Sequence, residues 1–264
     1  MKEKILHIQN LFCGYDGKMI LRDINFSATR GEVISIIGPN GAGKTTLLKA
    51  LSNIIKPAKG EVLLQGKNIQ SIPRKIRAGK IAVVAQPIEP AFMTVEEYIL
   101  MGRLPYFRKY QFLETRHDTT ITQKYMELTD TLSLKDAAMS EISGGERQLA
   151  SIARALVQEP ILLLLDEPTS HLDITHQVQI LELIQHLNQE MGLTVLMVLH
   201  DLNLASEYSN RLVLLNGSDG SVYNVGTPER VITKNAIEDV YKIDVLIQKN
   251  PRSEKPFVLL TKKQ

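Results

Sequence analysis

The sequence predicts an α/β fold with a mainly parallel core sheet and an antiparallel β region ahead of it. Three observations point that way. Val33-Ile34-Ser35-Ile36-Ile37, Ile161-Leu162-Leu163-Leu164-Leu165 and Thr194-Val195-Leu196-Met197-Val198-Leu199 are short, nearly unbroken apolar runs, the pattern of strands covered on both faces. Each run ends in a glycine loop or in charged residues, where α/β sheets carry their ligand sites. Residues 4–30 instead form short β segments around Asp16-Gly17, a hairpin turn signal.

The bulk composition narrows the class. A chain of 264 residues suits one large α/β domain with subdomains or two small domains. Lys plus Arg total 31 against 29 for Asp plus Glu, a balance that leaves no broad basic face for nucleic acid. Cys13 is the only cysteine, so an internal disulfide is excluded and a reducing compartment fits. Met1-Lys2-Glu3-Lys4 leads into no apolar core of signal-peptide length. The apolar runs are too short to span a bilayer, so work at a membrane would require a partner to hold the chain there.

In chain order, Ile5–Ile8, Met19–Leu21 and Ile24–Phe26 read as antiparallel strands, with Tyr15 at the turn between them. Tyr15 is either an ordinary turn tyrosine or a ring that stacks on a purine. Val33–Ile37 then runs into Gly38-Pro39-Asn40-Gly41-Ala42-Gly43-Lys44-Thr45-Thr46. Gly38 to Thr45 fits the phosphate-binding pattern G-x-x-x-x-G-K-[S/T], and Leu47, Leu48 and Leu51 start a helix. Strand, glycine loop and helix start turn backbone N–H groups and a helix dipole onto a phosphate chain. Lys44 adds a charge near the outer phosphates, and the Thr45 hydroxyl suits Mg²⁺.

Glu61–Gly66 and Ile81–Ala85 read as further strands, the second followed by Gln86, which is either a solvated loop glutamine or one placed to touch a metal or water. Thr94-Val95-Glu96-Glu97 is a capping box that opens a helix ending near Gly102. Leu104–Tyr110 mixes aromatics with Arg and Lys, as a surface loop or a docking surface does. Ile121, Tyr125, Leu128 and Leu132 form one helical stripe. Ser143-Gly144-Gly145-Glu146 is a second capping box, opening a long helix that runs to Pro160. Two glycines in its first turn cost about 1 kcal/mol each against alanine. That cost suggests close approach to the backbone, and an anion is the natural candidate.

The strand Ile161–Leu165 ends in Asp166 and Glu167, whose side chains point in different directions. Asp166 suits Mg²⁺ and Glu167 a water. Ser170–Asp173 precedes a helix carrying Val178, Leu181, Ile184 and Leu187. His200 ends the strand Thr194–Leu199, whereas His7, His117, His176 and His186 read as ordinary side chains. Arg211–Leu215 and Ser221–Val225 flank Asp219-Gly220 as a hairpin, Thr227-Pro228 starts a helix, and the tail is polar with apolar islands such as Phe257–Leu260.

Together these motifs resemble the ATP-binding-cassette (ABC) ATPases over about residues 5–241. Gly38–Thr45 matches Walker A, Gln86 the Q-loop, Leu162–Glu167 Walker B and its catalytic glutamate, Ser170–Asp173 the D-loop, and His200 the switch histidine. Ser143-Gly144-Gly145-Glu146 matches the family-defining signature, with Ile142 in place of leucine. Tyr15 stands where the family stacks an aromatic on adenine. Thr94–Arg103, Pro168–Asp173 and Gly226–Tyr241 are similar to ATPase subunits of bacterial importers for ferric siderophores, haem and cobalamin. Some molybdate or related oxyanion importers are also similar.

The resemblance implies a P-loop NTPase domain over 1–241, a helical subdomain inserted at about 88–158, and an extension at 242–264. It implies ATP and Mg²⁺ as cofactors and two copies arranged head to tail. ATP would lie between Walker A of one copy and Ser143, Gly144, Gly145 and Glu146 of the other, with Asp173 beside it. Lys44, Gln86, Glu167 and His200 would carry catalysis, and Thr45, Gln86 and Asp166 would hold Mg²⁺. Integral membrane permease subunits would be direct partners, a substrate-binding protein an indirect one, and the cytoplasmic face of the inner membrane the location. The segment from Gln86 to Tyr110 would dock the permease, with Arg103 and Arg108 as test positions. The rival readings are a non-transport ABC ATPase, disfavoured by the single cassette and near-neutral charge, and a regulatory module without turnover, disfavoured by intact Lys44, Asp166, Glu167 and His200.

Overall fold

The computed structural model describes residues 3–85 and 92–261. Strands β1 (Lys4–Tyr15) and β2 (Lys18–Thr29) form an antiparallel hairpin, closed by Asp16 and Gly17 at φ 47° and 78°, as a two-residue primed turn requires. The short segments expected from the sequence are two continuous strands. The polar breaks between them are bulges. Asn10 and Asp23 take positive φ, and Asp23 Oδ1 accepts from the side-chain amides of Asn10 at 3.0 Å and Asn25 at 2.8 Å.

After β3 (Val33–Ile37) and α1 (Lys44–Leu51), β4 (Lys59–Leu64) pairs with β1, and β5 (Lys67–Asn68) completes the antiparallel sheet. Then follow α2 (Arg74–Ala78) and β6 (Ile81–Val84). A helical stretch comes next: α3 (Val95–Leu100), a 3-10 segment Met101–Tyr106, α4 (Arg116–Leu128) and α5 (Gly144–Leu156). Strand β7 (Leu162–Asp166), α6 (Ile174–Met191), β8 (Thr194–Val198), α7 (Leu202–Tyr208) and β9 (Arg211–Leu215) return the chain to the core. Strand β10 (Val222–Gly226) and helices α8 (Pro228–Val231) and α9 (Lys234–Tyr241) follow.

Among the described residues the core sheet has the order β10-β9-β3-β8-β7-β6. It is parallel except for β10, which the Asp219-Gly220 hairpin brings back against β9. The alternation of the pleat divides the apolar runs between two faces. Ile34 and Ile36 of β3 and Leu162 and Leu164 of β7 pack with α1 and the antiparallel sheet. Ile37, Leu163, Leu165 and Met197 pack with α3, α5 and α6. Unbroken hydrophobicity in these strands therefore reflects burial on both sides, as expected.

The tail departs from the sequence expectation of a polar stretch with apolar islands. Strands β11 (Val245–Lys249) and β12 (Pro256–Leu260) form an antiparallel hairpin. Its inward residues Val245 and Val258 are buried in the same core as the parallel sheet.

Arg103 also departs from expectation. As a test position for docking it needs a charge at the surface, but it is 2% exposed. Its Nε donates to Asp118 Oδ1 at 3.0 Å, and its Nη1 donates to Val157 O at 2.8 Å and Glu159 Oε2 at 3.0 Å. The guanidinium also lies 4.0 Å over the Tyr106 ring. Arg103 thus fastens the 3-10 segment to α4 and α5 and presents no charge to a partner. Arg108 is exposed as expected.

Candidate functional site

Strand β3 delivers the chain into the glycine loop at the C-terminal edge of the sheet, and the loop ends as α1 begins. Gly43 is the N-cap of α1 at φ 92°. A Cβ there would lie 2.7 Å from Leu21 Cδ2, so only glycine allows both the left-handed backbone and this contact. The same contact brings the start of β2 against the loop and sets the adjoining turn, with Tyr15 40% exposed, on that side. Ala42 and Thr46 are buried, Pro39 is half-buried, and Asn40 and Gly41 are exposed at the loop's crest. Lys44 folds back over the loop, its Nζ donating to Gly38 O at 2.8 Å and Pro39 O at 3.0 Å. Burial pulls its pKa down, and the negative charges of Glu167 and Asp166 only partly oppose this.

Sheet register assembles the remaining chemistry. Thr45 Oγ1 donates to Asp166 Oδ1 at 3.1 Å across the neighbouring strand end. Burial raises the pKa of Asp166 despite that bond. Asp166 pairs with Val198 in the β7–β8 ladder, so Glu167 and His200, just beyond, meet. The His200 Nε2 bonds to Glu167 Oε1, and Ser170 Oγ donates to Glu167 Oε2 at 3.0 Å. Glu167 holds a left-handed φ of 52°, a strained conformation of the kind that clusters at functional sites. Burial alone would raise its pKa; the bonds from His200 and Ser170 and the charges of His200 and Lys44 outweigh burial and hold it low.

A second centre forms at the start of α5. Ser143 Oγ accepts from Glu146 N at 3.2 Å, and Glu146 Oε2 accepts from Ser143 N at 2.7 Å, the reciprocal capping box expected from the sequence. Ser143 and Gly144 are exposed. The close approach inferred at Gly145 comes from within the chain: a Cβ there would lie 2.1 Å from His176 Cδ2. His176 in turn bonds Asp173 Oδ2 through Nδ1 at 2.9 Å, and Asp173 Oδ1 caps α6 by accepting from His176 N at 2.9 Å. Among the described residues, the hydrogen bonds of Ser143, Glu146 and Asp173 stay at this corner and none reaches the glycine loop. Gln86 lies outside the described residues.

The family model for ABC transporters matches residues 21–170, which contain the glycine loop, the Ser143 cap, Asp166 and Glu167. The chain belongs to the ABC transporter ATP-binding family. It is an ATPase. The iron(3+)-hydroxamate import ATP-binding protein FhuC of Bacillus subtilis is 39% identical over 255 residues, covering 96% of this chain and 94% of that one. The hemin import ATP-binding protein HmuV of Gloeobacter violaceus is 39% identical over 251 residues, with 92% and 89% covered. Among solved structures, an inward-facing conformation described as a metal-chelate type ABC transporter superposes with a TM-score of 0.83 at 28% identity, covering 97% of this chain and 96% of that one. The ATP-binding cassette MJ0796, in a dimeric post-hydrolysis state bound to ADP and Pi, gives 0.73 at 28% identity, with 84% and 98% covered.

Two contacts in this ABC ATPase escaped sequence reasoning. Ser170 holds the Glu167 carboxylate; only its position in the D-loop match hinted at a role. The Gly38 N–H donates to the Tyr241 phenol oxygen, while burial pushes the phenol's pKa well up. Tyr241 lies 203 residues after Gly38 (241 − 38), and no local pattern links them.

Proposed function

We propose that this ATPase energises an importer of iron chelates, with ferric siderophores or haem as cargo. The observation that carries the catalytic reading is the union, at one sheet edge, of Lys44 and Thr45 with Asp166, Glu167 and His200. The cargo class follows from the hydroxamate- and hemin-import relatives and the metal-chelate structural neighbour; a molybdate or other oxyanion importer is the second reading. In the catalytic cycle, loop N–H groups and Lys44 neutralise the ATP phosphates, Glu167 polarises the attacking water, and His200 orients Glu167 and contacts the terminal phosphate. Catalysis is then mainly placement and charge stabilisation. Thr45 Oγ1 and Asp166 Oδ1, hard oxygens 3.1 Å apart, fit Mg²⁺, which takes one or two protein ligands and completes its shell with water and phosphate. They would hold the ion, whose chemistry is to offset phosphate charge. Tyr15 stacks on adenine, and Gln86 would help Thr45 and Asp166 to position the ion.

Two copies arrange head to tail, so that Ser143, Gly144 and Gly145 of one face the ATP held by the other, with Asp173 at the seam. The exposed N-terminus of the 13-residue helix α5 supports this reading, since its caps leave Gly144 open to a neighbour. Mixing tests it. Lys44→Ala and Ser143→Arg proteins are each expected to be inactive in phosphate release. Mixed copies regain a fraction of activity, because one of the two composite sites is then wild type. A mixture that forms heterodimers yet stays inactive would count against shared sites.

Among the described residues no helix is long and apolar enough to cross a membrane, so a permease is the anchor in this reading, at the cytoplasmic face of the inner membrane. A substrate-binding protein would deliver cargo to that permease from the other side. The docking surface is the cleft of about 470 Å³ between the end of α1, α2 and β6, lined by Ile54, Arg74 and Arg77. Lys75 Nζ donates to Phe107 O at 2.6 Å and joins this cleft to the 3-10 segment, where Leu104 is 53% and nearby Ile76 54% exposed. Leu104→Asp and Arg108→Glu are expected to leave basal ATPase within about twofold, because exposed substitutions perturb folding little, and to abolish cargo uptake in reconstituted vesicles. Equal loss of both activities would place docking elsewhere.

A further inference from the structure

The hairpin β11–β12 is built onto one face of α7, the helix that begins two residues after His200. Asn203 pairs with β12 as a strand would: its Nδ2 donates to Val258 O at 3.3 Å and its Oδ1 accepts from Val258 N at 2.7 Å. Three residues on, buried Ser206 Oγ donates to Pro256 O at 2.7 Å. The Glu207 carboxylate accepts from Ser253 Oγ at 2.7 Å and Asn250 Nδ2 at 3.2 Å, and Lys255 Nζ bonds the Glu207 carbonyl. Positions 203, 206 and 207 share one helical face, and the opposite residue Ala205 is buried in the core.

This helix has seven residues, too few to hold together by its own hydrogen bonds. Its order comes from what packs on it. Asp201 caps it, accepting from Asn203 N at 2.8 Å and Leu204 N at 3.0 Å, so the position of Asn203 is transmitted directly to the residue after His200. The His200 side chain is 42% exposed, and among the described residues its ring bonds to Glu167. The backbone behind the imidazole must therefore do much of the positioning.

We propose that the C-terminal hairpin is a brace for α7, and that Asn203 is a positioning residue which holds His200 against Glu167 for ATP hydrolysis. The proposal rests on the catalytic reading of His200 given above. Displacing a reacting group by about 1 Å costs up to roughly 100-fold in rate, so loosening the brace lowers turnover while the glycine loop still binds ATP.

The test uses the full chain with Asn203→Leu, which removes both bonds at similar volume and keeps a good helix former. Hydrogen exchange at Val258 N–H reports whether the tie between α7 and β12 is lost. The expected result is faster exchange there, a kcat lowered about 10- to 100-fold, and an ATP Kd within about twofold of wild type, as the loop is untouched. In a His200→Ala background the same substitution is expected to lower the residual rate no further. Asn203→Asp keeps the shorter bond and is expected to give a smaller loss; it carries the test if Asn203→Leu fails to fold. If either substitution leaves the hairpin in place, Asn203→Leu with Ser206→Ala and Glu207→Ala removes the remaining ties made by α7 side chains. Fast exchange at Val258 with wild-type kcat, or an undiminished effect in the His200→Ala background, would overturn the brace. Wild-type turnover by His200→Ala would instead sink the catalytic reading on which it stands.

Discussion

Glu167→Gln is expected to lower ATP turnover by about 10²- to 10⁴-fold, the usual worth of a general base, while ATP affinity stays near wild type. The geometry explains the split. The phosphates are met by the glycine loop and Lys44, whose contacts to Gly38 and Pro39 do not involve position 167. The amide keeps an oxygen able to accept from Ser170 but can no longer take a proton from water. Trapped before hydrolysis, the variant is expected to run as an ATP-bound dimer on size exclusion, where wild type runs as a monomer–dimer mixture. In wild type, the His200 and Ser170 bonds hold the Glu167 pKa below the ordinary glutamate value. The base therefore stays ionised through neutral pH, and its contribution is lost only as pH falls through that lowered range. Wild-type-like phosphate release by Glu167→Gln would remove Glu167 from the mechanism.

Arg103→Glu carries the largest expected effect on stability. Removing one partner of a buried ion pair costs about 3–5 kcal/mol, and reversal adds repulsion. Arg103 and Asp118 have side chains only 3% and 6% exposed, so water cannot compensate either. The lost guanidinium also frees Val157 O and exposes Asp118 to Glu159. Burial tends to raise the Asp118 pKa, but bonds from Thr115 and Arg103 bring it below normal, so part of its ionised character depends on this arginine. Urea denaturation is expected to show an unfolding free energy lower by that amount, with the midpoint shifted down accordingly. Arg108→Glu, on the surface, is expected to stay within about 0.5 kcal/mol of wild type. Similar stability for both variants would contradict the buried Arg103–Asp118 pair.

These two residues illustrate what a sequence can and cannot disclose. Glu167 was legible because an apolar strand ending in two acids is a local pattern with local consequences. Its partners were less so: His200 stood out only as a strand end, and Ser170 as part of a motif. Arg103 and Arg108 look equivalent in one dimension. Burial separates them, because Arg103 meets Glu159, 56 residues away, and Arg108 meets solvent. The glycines at 144 and 145 were read together as an opening for an anion. The structure adds a contact that the sequence did not disclose, since His176 packs on Gly145 while Gly144 is left exposed.

The amino-acid order alone determined the strand–loop–helix around Lys44, the capping boxes at Thr94 and Ser143, and the two-face burial of the core strands. Each depends on backbone preference or on periodicity within a few residues. Folding decided that Arg103 is internal, that Asn203 grips Val258, that Tyr241 reaches Gly38, and that Glu167 and His200 share a hydrogen bond. Those pairs are brought together by sheet register and helix packing across dozens to hundreds of residues, where identical side chains read the same whether they end in water or in the core.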